Sequence, residues 1–370
     1  MKKILFVIGT RPEIIKTAPV IHIFRKDKRY NVKVCFTGQH QTMAIEMIKE
    51  FKISINYDLN LMKSEQSLNY LASASISRIN SVYDEFGPDM VFVQGDTTTA
   101  FCAALAAFYK KITVAHIEAG LRTYDKYQPY PEEINREMIS RIADLHLAPT
   151  IKAKENLVRE GMLANSIIVT GNTVIDALFY IKNSKKCFTE KTLQQLPKDN
   201  KLILVTAHRR ENFGKPLKNI CKAIKILAEK NKDVIFVYPV HLNPQVFKPV
   251  YSLLGNIRNI LLIKPVIYSD FVLLMDKAYY ILTDSGGIQE EAPSLSKPVL
   301  ILRNKTERPE VVEAGCAKIV GTNTSSIIKF SQLLLSSKIY YNRMSIRKNP
   351  VGDGRAAMRI KNKVNKIFRI

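Results

Sequence analysis

The feature that most constrains the fold of this chain is a repeated alternation of short apolar runs with helical patterns. Each run is followed by a polar turn and then by a helical pattern, as in KKILFVI before GTRPEIIK and KLILVTA before HRRENF. Continuous apolar strands separated by helices are typical of parallel sheets that are covered on both faces. The pattern therefore predicts an α/β fold built on doubly wound parallel sheets.

A polar, lysine-rich stretch, NSKKCFTEKTLQQLPKDNK, divides this alternation into two series of about six strands each. A chain of 370 residues is also long enough for two domains of ordinary size. We predict Rossmann-like domains over residues 1–175 and 176–354, with a basic C-terminal helix over 355–370 that packs back on the first. Ligands of open α/β sheets bind at the carboxyl ends of the strands, so we expect a cleft that both domains share.

Composition narrows the class of protein. The five cysteines are scattered, without C-x-x-C pairs or zinc spacing, which favours a reducing cytoplasm and no metal site. No run of about 20 apolar residues could span a membrane, and MKKILFVIGTRPE lacks the cleavage site of a signal peptide. The net charge of +23 attracts polyanions, but the lysines are spread along the chain. This favours a solvated surface over loose association with an anionic membrane or polymer, and no specific nucleic acid is expected.

Three segments of the C-terminal half could bind an anion. In DSGGIQEE, a strand is followed by two glycines and a helix start, where backbone amides could approach a diphosphate and Glu290 or Glu291 could bind ribose hydroxyls. A plain strand-to-helix turn explains that segment equally well. HRREN and NKTERPE each place cationic side chains after a strand, which suits an anion, although a solvated turn is the alternative.

The N-terminal half offers cations and three carboxylates. Thr10 and Glu13 predict a helix capping box, which leaves Arg11 and Lys16 unexplained, and both could face a substrate phosphate. Three acids follow strands or begin a helix at the same edge of the predicted sheet: Asp96, Glu118 and Glu132. Converging carboxylates raise one another's pKa and can serve as general acid and base. The alternatives are a helix cap for the first acid and a helix-dipole position for the last.

Taken together, the motifs resemble the non-hydrolysing UDP-N-acetylglucosamine 2-epimerase family. They stand in the family's order from residue 9 to about 310, with a late match over 349–354: GTRPEIIK, TGQH, GDTTTA, HIEAGLRT, PEEINR, TGNTVIDAL, HRREN, YPVHLNP, LTDSGGIQEEAPSL, KPVL, ERPE and NPVGDG. The resemblance implies the GT-B architecture, with two Rossmann-like domains around a deep cleft, and a homodimer. It also implies cell-surface polysaccharide as the use of the product.

The resemblance implies roles for individual residues. The residues expected to bind UDP are Arg11, Lys16, His208, Phe271, Ser285, Gly286, Gly287, Glu291 and Arg308. The residues expected to act in catalysis are Asp96, Glu118, Glu132, Lys16 and His208. The implied reaction converts UDP-N-acetylglucosamine (UDP-GlcNAc) to UDP-N-acetylmannosamine (UDP-ManNAc) through elimination of UDP to 2-acetamidoglucal and re-addition. No cofactor is expected, since the sequence has no G-x-G-x-x-G after its first strand and no Walker A motif.

Bacterial members also bind UDP-GlcNAc beside the active site, where it activates the enzyme. The residues that match this region are Gln39, His40, Gln66, Glu132, Arg209 and His241. The sequence departs from the family at Thr42 and Glu65, where Gln and Arg are expected, and a glutamate is unfavourable beside phosphate. Allosteric activation is therefore left open.

Three alternative functions remain. A GT-B glycosyltransferase would have a similar nucleotide site but needs an acceptor surface, and the three carboxylates favour an epimerase. A hydrolysing epimerase would release UDP and free ManNAc, whereas the intact GTRPEIIK and PEEINR segments favour the non-hydrolysing group. A basic nucleic-acid-binding protein without catalytic activity is the third alternative. It would require stronger binding to nucleic acid than the scattered lysines predict.

Overall fold

The computed structural model describes residues 1–38, 41–62, 67–197 and 199–370, and for residues 41–43 it describes the backbone alone. The chain folds into two compact units, one formed by Met1–Tyr180 together with Gly352–Ile370 and the other by Ile181–Val351. Within the described residues, no helix is long and apolar enough to cross a membrane.

The first unit contains a parallel sheet with seven strands in its described residues. The strands are β1 (Lys2–Ile8), β2 (Tyr30–Phe36), β3 (Tyr57–Asp58), β4 (Met90–Gln94), β5 (Thr113–Ile117), β6 (Leu145–Ala148) and β7 (Ile167–Val169). Their order across the sheet is β3-β2-β1-β4-β5-β6-β7. The sequence predicts about six strands here. The apolar runs quoted above do not contain β3, whose two residues are too few to give a pattern.

Helices connect these strands in the doubly wound manner. They are α1 (Arg11–Arg25), α2 (Gln41–Glu50), α3 (Leu68–Phe86), α4 (Thr98–Tyr109), α5 (Glu132–Ile142), α6 (Ile151–Arg159) and α7 (Thr173–Ser184), which continues into the second unit. The core between sheet and helices includes Phe6, Phe24 and Phe92, and the rings of Phe6 and Phe92 stack with centroids 4.7 Å apart. Aromatic contacts of this kind add to the free energy gained by burying apolar area.

The C-terminal helix, α16 (Ala356–Phe368), packs on α1 in the first unit. Its N-terminus is capped from a distance by Asp176, whose carboxylate accepts hydrogen bonds from the amides of Ala356 (3.1 Å) and Ala357 (2.9 Å). Further along, Asn365 accepts a hydrogen bond from the hydroxyl of Tyr30.

The second unit contains a parallel sheet with six strands in its described residues, in the order β10-β9-β8-β11-β12-β13. The strands are β8 (Lys201–Thr206), β9 (Val234–Pro239), β10 (Ile260–Ile263), β11 (Ala278–Thr283), β12 (Val299–Ile301) and β13 (Ala317–Ile319). The helices are α8 (Lys191–Gln194), α9 (Lys215–Lys230), α10 (Pro244–Leu254), α11 (Tyr268–Lys277), α12 (Gly286–Glu291), α13 (Pro309–Glu313), α14 (Thr324–Ser336) and α15 (Lys338–Ser345). The α/β prediction, with doubly wound parallel sheets, is confirmed.

Both sheets reverse their winding at a defined point. In the first unit the reversal lies between β1 and β4, and in the second it lies between β8 and β11. The carboxyl ends of the two strands at such a reversal leave a crevice that commonly binds ligands. The segments that the sequence singles out, including GTRPEIIK, GDTTTA, HRREN and DSGGIQEE, begin at these strand ends.

Candidate active site

Glu13 organises the crevice of the first unit. Its buried carboxylate accepts hydrogen bonds from the amides of Gly9 (2.9 Å) and Thr10 (2.7 Å) and from the hydroxyls of Thr10 (2.8 Å) and Thr97 (2.7 Å). Burial raises the pKa of Glu13, and these donors oppose the shift. The structure thus agrees with the predicted capping interaction between Glu13 and Thr10. It also adds a link, through Thr97, to the turn after β4.

Arg11 and Lys16, which both lie on α1, have different surroundings. Arg11 is the first residue of α1 and is partly buried, and no described residue accepts a hydrogen bond from its guanidinium. Lys16 forms an ion pair with Glu118, which comes directly after β5. The lysine therefore lies against a predicted catalytic carboxylate.

Glu118 has an unusual backbone conformation, and its carboxylate is held by neighbouring side chains. Its φ angle is +66°, a left-handed conformation that costs a non-glycine residue about 1 kcal/mol or more. Its carboxylate accepts hydrogen bonds from Lys16, Gln94 and Asn172, the last at 3.0 Å. The side chain is only 7% exposed. Such strain at a fixed polar group is common at functional sites.

Asp96 lies at the end of the neighbouring turn and forms an ion pair with Arg136 of α5. Burial raises its pKa; Arg136 opposes this shift, and the negative charge of Glu118 adds to it. Thr97 provides the N-cap of α4, so the alternative role of Asp96 as a helix cap is not the one observed. The structure brings Asp96, Glu118 and Lys16 together.

Glu132 is placed differently from the other two acids. It is the first residue of α5 and partly exposed, and no described residue forms a hydrogen bond or ion pair with it. Its neighbour Glu133 is completely buried instead, where it accepts hydrogen bonds from the amides of Thr123 (2.8 Å) and Tyr124 (2.9 Å) and pairs with Arg136 (3.2 Å). Of the three predicted acids, Asp96 and Glu118 thus interact electrostatically, and the catalytic role of Glu132 remains a prediction.

Asp284 organises the crevice of the second unit. It is completely buried after β11 and accepts hydrogen bonds from the amides of His208 and Arg209, both at 2.8 Å, and from the side chain of Asn212 at 2.9 Å. Beside it, the hydroxyls of Thr206 and Thr283 are 2.7 Å apart and join β8 to β11. The carboxylate thus shapes the HRREN turn, a role that sequence reasoning missed.

His208 lies half-buried above this carboxylate. Its Nδ1 is 3.8 Å from Oδ1 of Asp284, and its ring stacks on that of His241 with centroids 5.6 Å apart. Burial lowers the pKa of His208, and the charge of Asp284 opposes the shift. The position of His208 within this unit suits it to bind an anion or to exchange a proton.

The glycine turn and the cations near it form the rest of this site. Ser285 is the N-cap of α12, and a Cβ atom at the buried Gly286 would lie 3.6 Å from Nη2 of Arg209, in ordinary contact with that side chain. Because α12 has only six residues, its dipole is short, and the nearby cations are the stronger attraction for an anion.

Two of the remaining predicted UDP-binding residues, Arg308 and Glu291, have defined partners. Arg308 forms an ion pair with the buried Glu290. Glu291 is buried and accepts a hydrogen bond of 2.8 Å from the hydroxyl of Tyr268. Phe271 lies partly buried on α11. Gly287 is exposed, and a Cβ atom there would lie 3.8 Å from Oε1 of Glu291.

Comparison with known proteins decides the family. A family model described as UDP-N-acetylglucosamine 2-epimerase matches residues 22–365. This chain belongs to the UDP-N-acetylglucosamine 2-epimerase family. It is 51% identical to the UDP-N-acetylglucosamine 2-epimerase of Campylobacter jejuni, over 98% of this chain and 97% of that protein. It is 47% identical to the enzyme of the same name from Escherichia coli K12, over 97% of each chain.

Solved structures of epimerases share the fold. A putative UDP-N-acetylglucosamine 2-epimerase from Listeria monocytogenes superposes with a TM-score of 0.95 at 43% identity, covering 100% of this chain and 97% of that one. The UDP-GlcNAc 2-epimerase of Neisseria meningitidis, solved bound to UDP-GlcNAc, has a TM-score of 0.88 at 49% identity, covering 98% and 100%. A glycosyltransferase at 12% identity and a TM-score of 0.66 shares the fold alone. The predicted GT-B class, with two Rossmann-like domains in one chain, is confirmed.

The predicted regulatory site of the epimerase falls mostly on residues outside the described ranges. These are Gln39, His40, Glu65 and Gln66, and the side chain of Thr42 is likewise outside them. Of the other three matched residues, Glu132 begins α5, Arg209 lies 3.9 Å from Glu307, and the exposed His241 accepts a hydrogen bond of 3.1 Å from the amide of Asn243. Allosteric activation remains open.

Proposed function

We propose that this chain is a non-hydrolysing epimerase that interconverts UDP-GlcNAc and UDP-ManNAc by elimination and re-addition of UDP. Family membership supports epimerisation at C2, and the Neisseria meningitidis structure with bound UDP-GlcNAc supports the substrate. The observation that carries the mechanism is the pairing of Asp96 with Glu118 beside Lys16. This places two carboxyl groups with different environments next to each other.

The first requirement of the reaction is a stabilised leaving group. The proton on C2 is only weakly acidic, so its removal must be assisted by departure of UDP from C1. Positive groups around the diphosphate stabilise the negative charge that develops on it. We propose that Arg209 and Arg308 supply this charge in the second unit, with His208 close by, and that Arg11 contributes from the first.

The second requirement is two proton-transfer groups, because the proton leaves one face of C2 and returns to the other. In the forward step a carboxylate takes the C2 proton, the C–H electrons form the C1–C2 double bond, and the C1–O electrons leave with UDP. In the return step a UDP oxygen attacks C1, and the double-bond electrons take a proton from the second carboxyl group at C2.

The environments of Asp96 and Glu118 suit this division of work. Lys16, Gln94 and Asn172 all donate to Glu118, which favours its ionised form. Asp96 has a raised pKa and so keeps a proton to a higher pH than an ordinary aspartate. We therefore propose that these two differently surrounded carboxyl groups divide the work of taking and returning the C2 proton.

A product analysis separates this proposal from the hydrolysing alternative. UDP-GlcNAc incubated with the protein should give UDP-ManNAc and reach a stable mixture of the two sugar nucleotides, followed by proton NMR. Accumulation of UDP and free ManNAc in equal amounts would instead establish hydrolysis. Transfer of GlcNAc to an added sugar acceptor, with no C2 epimer, would favour a glycosyltransferase.

The family resemblance supports three further proposals about context. We propose that the enzyme acts as a homodimer, that it works in the cytoplasm, and that UDP-ManNAc is consumed in building a cell-surface polysaccharide. The scattered cysteines, none of them in a C-x-x-C pair, are consistent with a reducing compartment.

A further inference from the structure

A buried histidine behind the two carboxylates has no role in the reaction described so far. His116 is completely buried in β5, and its Nε2 lies 2.7 Å from the carbonyl oxygen of Gly95. Its Nδ1 is also buried and has no hydrogen-bond partner in the described structure. Burial lowers the pKa of His116 to about 3, so the ring is neutral at neutral pH and carries one proton. Since a carbonyl oxygen can only accept, that proton resides on Nε2.

The carbonyl that His116 holds belongs to the turn that carries Asp96. Gly95 has a φ angle of +69°, a conformation that glycine adopts readily, and its amide donates to the carbonyl of Ile117 at 3.0 Å. A Cβ atom on Gly95 would lie 3.7 Å from Oε2 of Glu118. The turn is therefore supported by the imidazole and closely approached by the catalytic carboxylate.

His116 lies on β5, two residues before Glu118, which comes directly after the end of that strand. One imidazole thus connects the strand that leads into Glu118 to the turn that carries Asp96. We propose that His116 is a positioning residue, whose Nε2–H bond to Gly95 sets the spacing between the Asp96 and Glu118 carboxyl groups. This inference rests on the proposed function, in which those two groups transfer the C2 proton.

His146 provides a matched control inside the same sheet. It faces His116 in register on the adjacent strand β6, is 1% exposed, and also has a buried Nδ1 without a partner. Burial lowers its pKa to about 4. No hydrogen bond in the described residues joins it to the Gly95 turn. Replacing His146 should therefore perturb the core as much as replacing His116, without releasing the turn.

The experiment compares His116→Met, His116→Gln and His146→Met in the full-length enzyme. Methionine keeps much of the volume but removes the donor, whereas glutamine can place an N–H near the position of Nε2. We expect His116→Met to lower kcat by about 10- to 100-fold, because small misplacements of catalytic groups have effects of that size. We expect the KM of His116→Met to change by less than about threefold. His116→Gln should recover most of kcat, and the kcat of His146→Met should stay near that of the wild type.

Each outcome bears on a separate claim. If His116→Met and His146→Met lose the same fraction of kcat and the same thermal stability, His116 is structural and the positioning role is overturned. If His116→Met does not fold, His116→Asn and His116→Gln are compared; equal kcat values would overturn the proposal, because asparagine is too short to reach Gly95. Absence of C2 proton exchange in the wild-type enzyme would contradict the proposed function itself, before any variant is compared.

Discussion

Asp96 and Glu118, which each follow one of two neighbouring strands, have different surroundings. Glu118 accepts hydrogen bonds from donors that include the ammonium of Lys16, whereas burial and the charge of Glu118 raise the pKa of Asp96. Neither environment is visible in the sequence alone, where both residues are simply acids after apolar strands. The structure thus shows two candidate acids in different electrostatic environments, on which the roles proposed for them rest.

Asp96→Asn tests the role of this residue most simply. The amide cannot transfer a proton, so kcat should fall by about 100- to 10,000-fold, the usual contribution of a general acid or base. The Kd for UDP, measured by calorimetry, should change little, because Asp96 is proposed to act on the sugar and not to bind the diphosphate. Asp84→Asn, at an exposed ion pair with Lys110, is the control and should be near wild type. Loss of UDP binding in the Asp96 variant would mean that the residue is structural.

From the sequence, functional residues are identified by their position directly after a strand. This succeeds where that position alone determines which other residues they contact. Asp96, Glu118 and Lys16 are predicted together and lie together. Asp284 is missed as an organiser, because the amides it binds are 75 and 76 positions away in the chain. No local sequence pattern indicates from which backbone amides a buried carboxylate will accept hydrogen bonds.

At the scale of elements, the attachment of the last helix depends on one buried carboxylate. Asp176 on α7 accepts from the first two amides of α16, which would otherwise lack partners. Asp176→Ala should lower the stability by about 1–2 kcal/mol, since a helix loses its cap. The midpoint of thermal unfolding should fall accordingly, and an unchanged midpoint would show that α16 is held by its apolar face alone.

The same carboxylate predicts a pH dependence with a definite sign. Burial raises the pKa of Asp176 in the folded protein, and the charge of Asp353 adds to this, so between the unfolded and folded pKa values the folded state binds more protons. Its contribution to stability is therefore greatest in acid and is lost as the pH rises through the folded pKa. Asp176→Asn cannot ionise, so the stability of wild type relative to this variant should fall from mildly acidic to neutral pH.

Asp353→Asn is the control for that prediction. The ion pair with Arg359 lowers the pKa of Asp353, so its contribution is present above the unfolded pKa and is lost on acidification. Relative to this variant, wild-type stability should rise with pH at the acidic end. Slopes of the same sign for Asp176→Asn and Asp353→Asn would contradict the assignment of both groups.

Elements are predicted well from the sequence where burial is continuous. The six strands of the second sheet correspond to the six apolar runs after residue 200, because buried parallel strands leave long apolar stretches. β3 is not predicted, since two residues cannot show a period. Glu132 is correctly predicted at the start of α5, yet helix position does not reveal where its side chain points.

For the whole molecule, the two units repeat one topology with different side chains at the point of reversal. In the first, Glu13 joins the turns after β1 and β4, and Asp96 and Glu118 lie alongside. In the second, Asp284 shapes a cationic turn beside two glycines. We infer that the repeated fold is used twice, once for proton transfer and once for binding UDP. The sequence predicts this division of work because the acids and the cations occur in different halves.

In the proposed mechanism, the C2 proton is removed and returned while UDP leaves and re-adds. This is tested by incubating UDP-GlcNAc with the enzyme in deuterated water, without added nicotinamide, and following C2 by NMR and mass spectrometry. One deuterium should appear at C2 of UDP-ManNAc, and deuterium should appear gradually at C2 of UDP-GlcNAc as the reaction reverses. Epimer formed with the original hydrogen retained at C2 would contradict the mechanism.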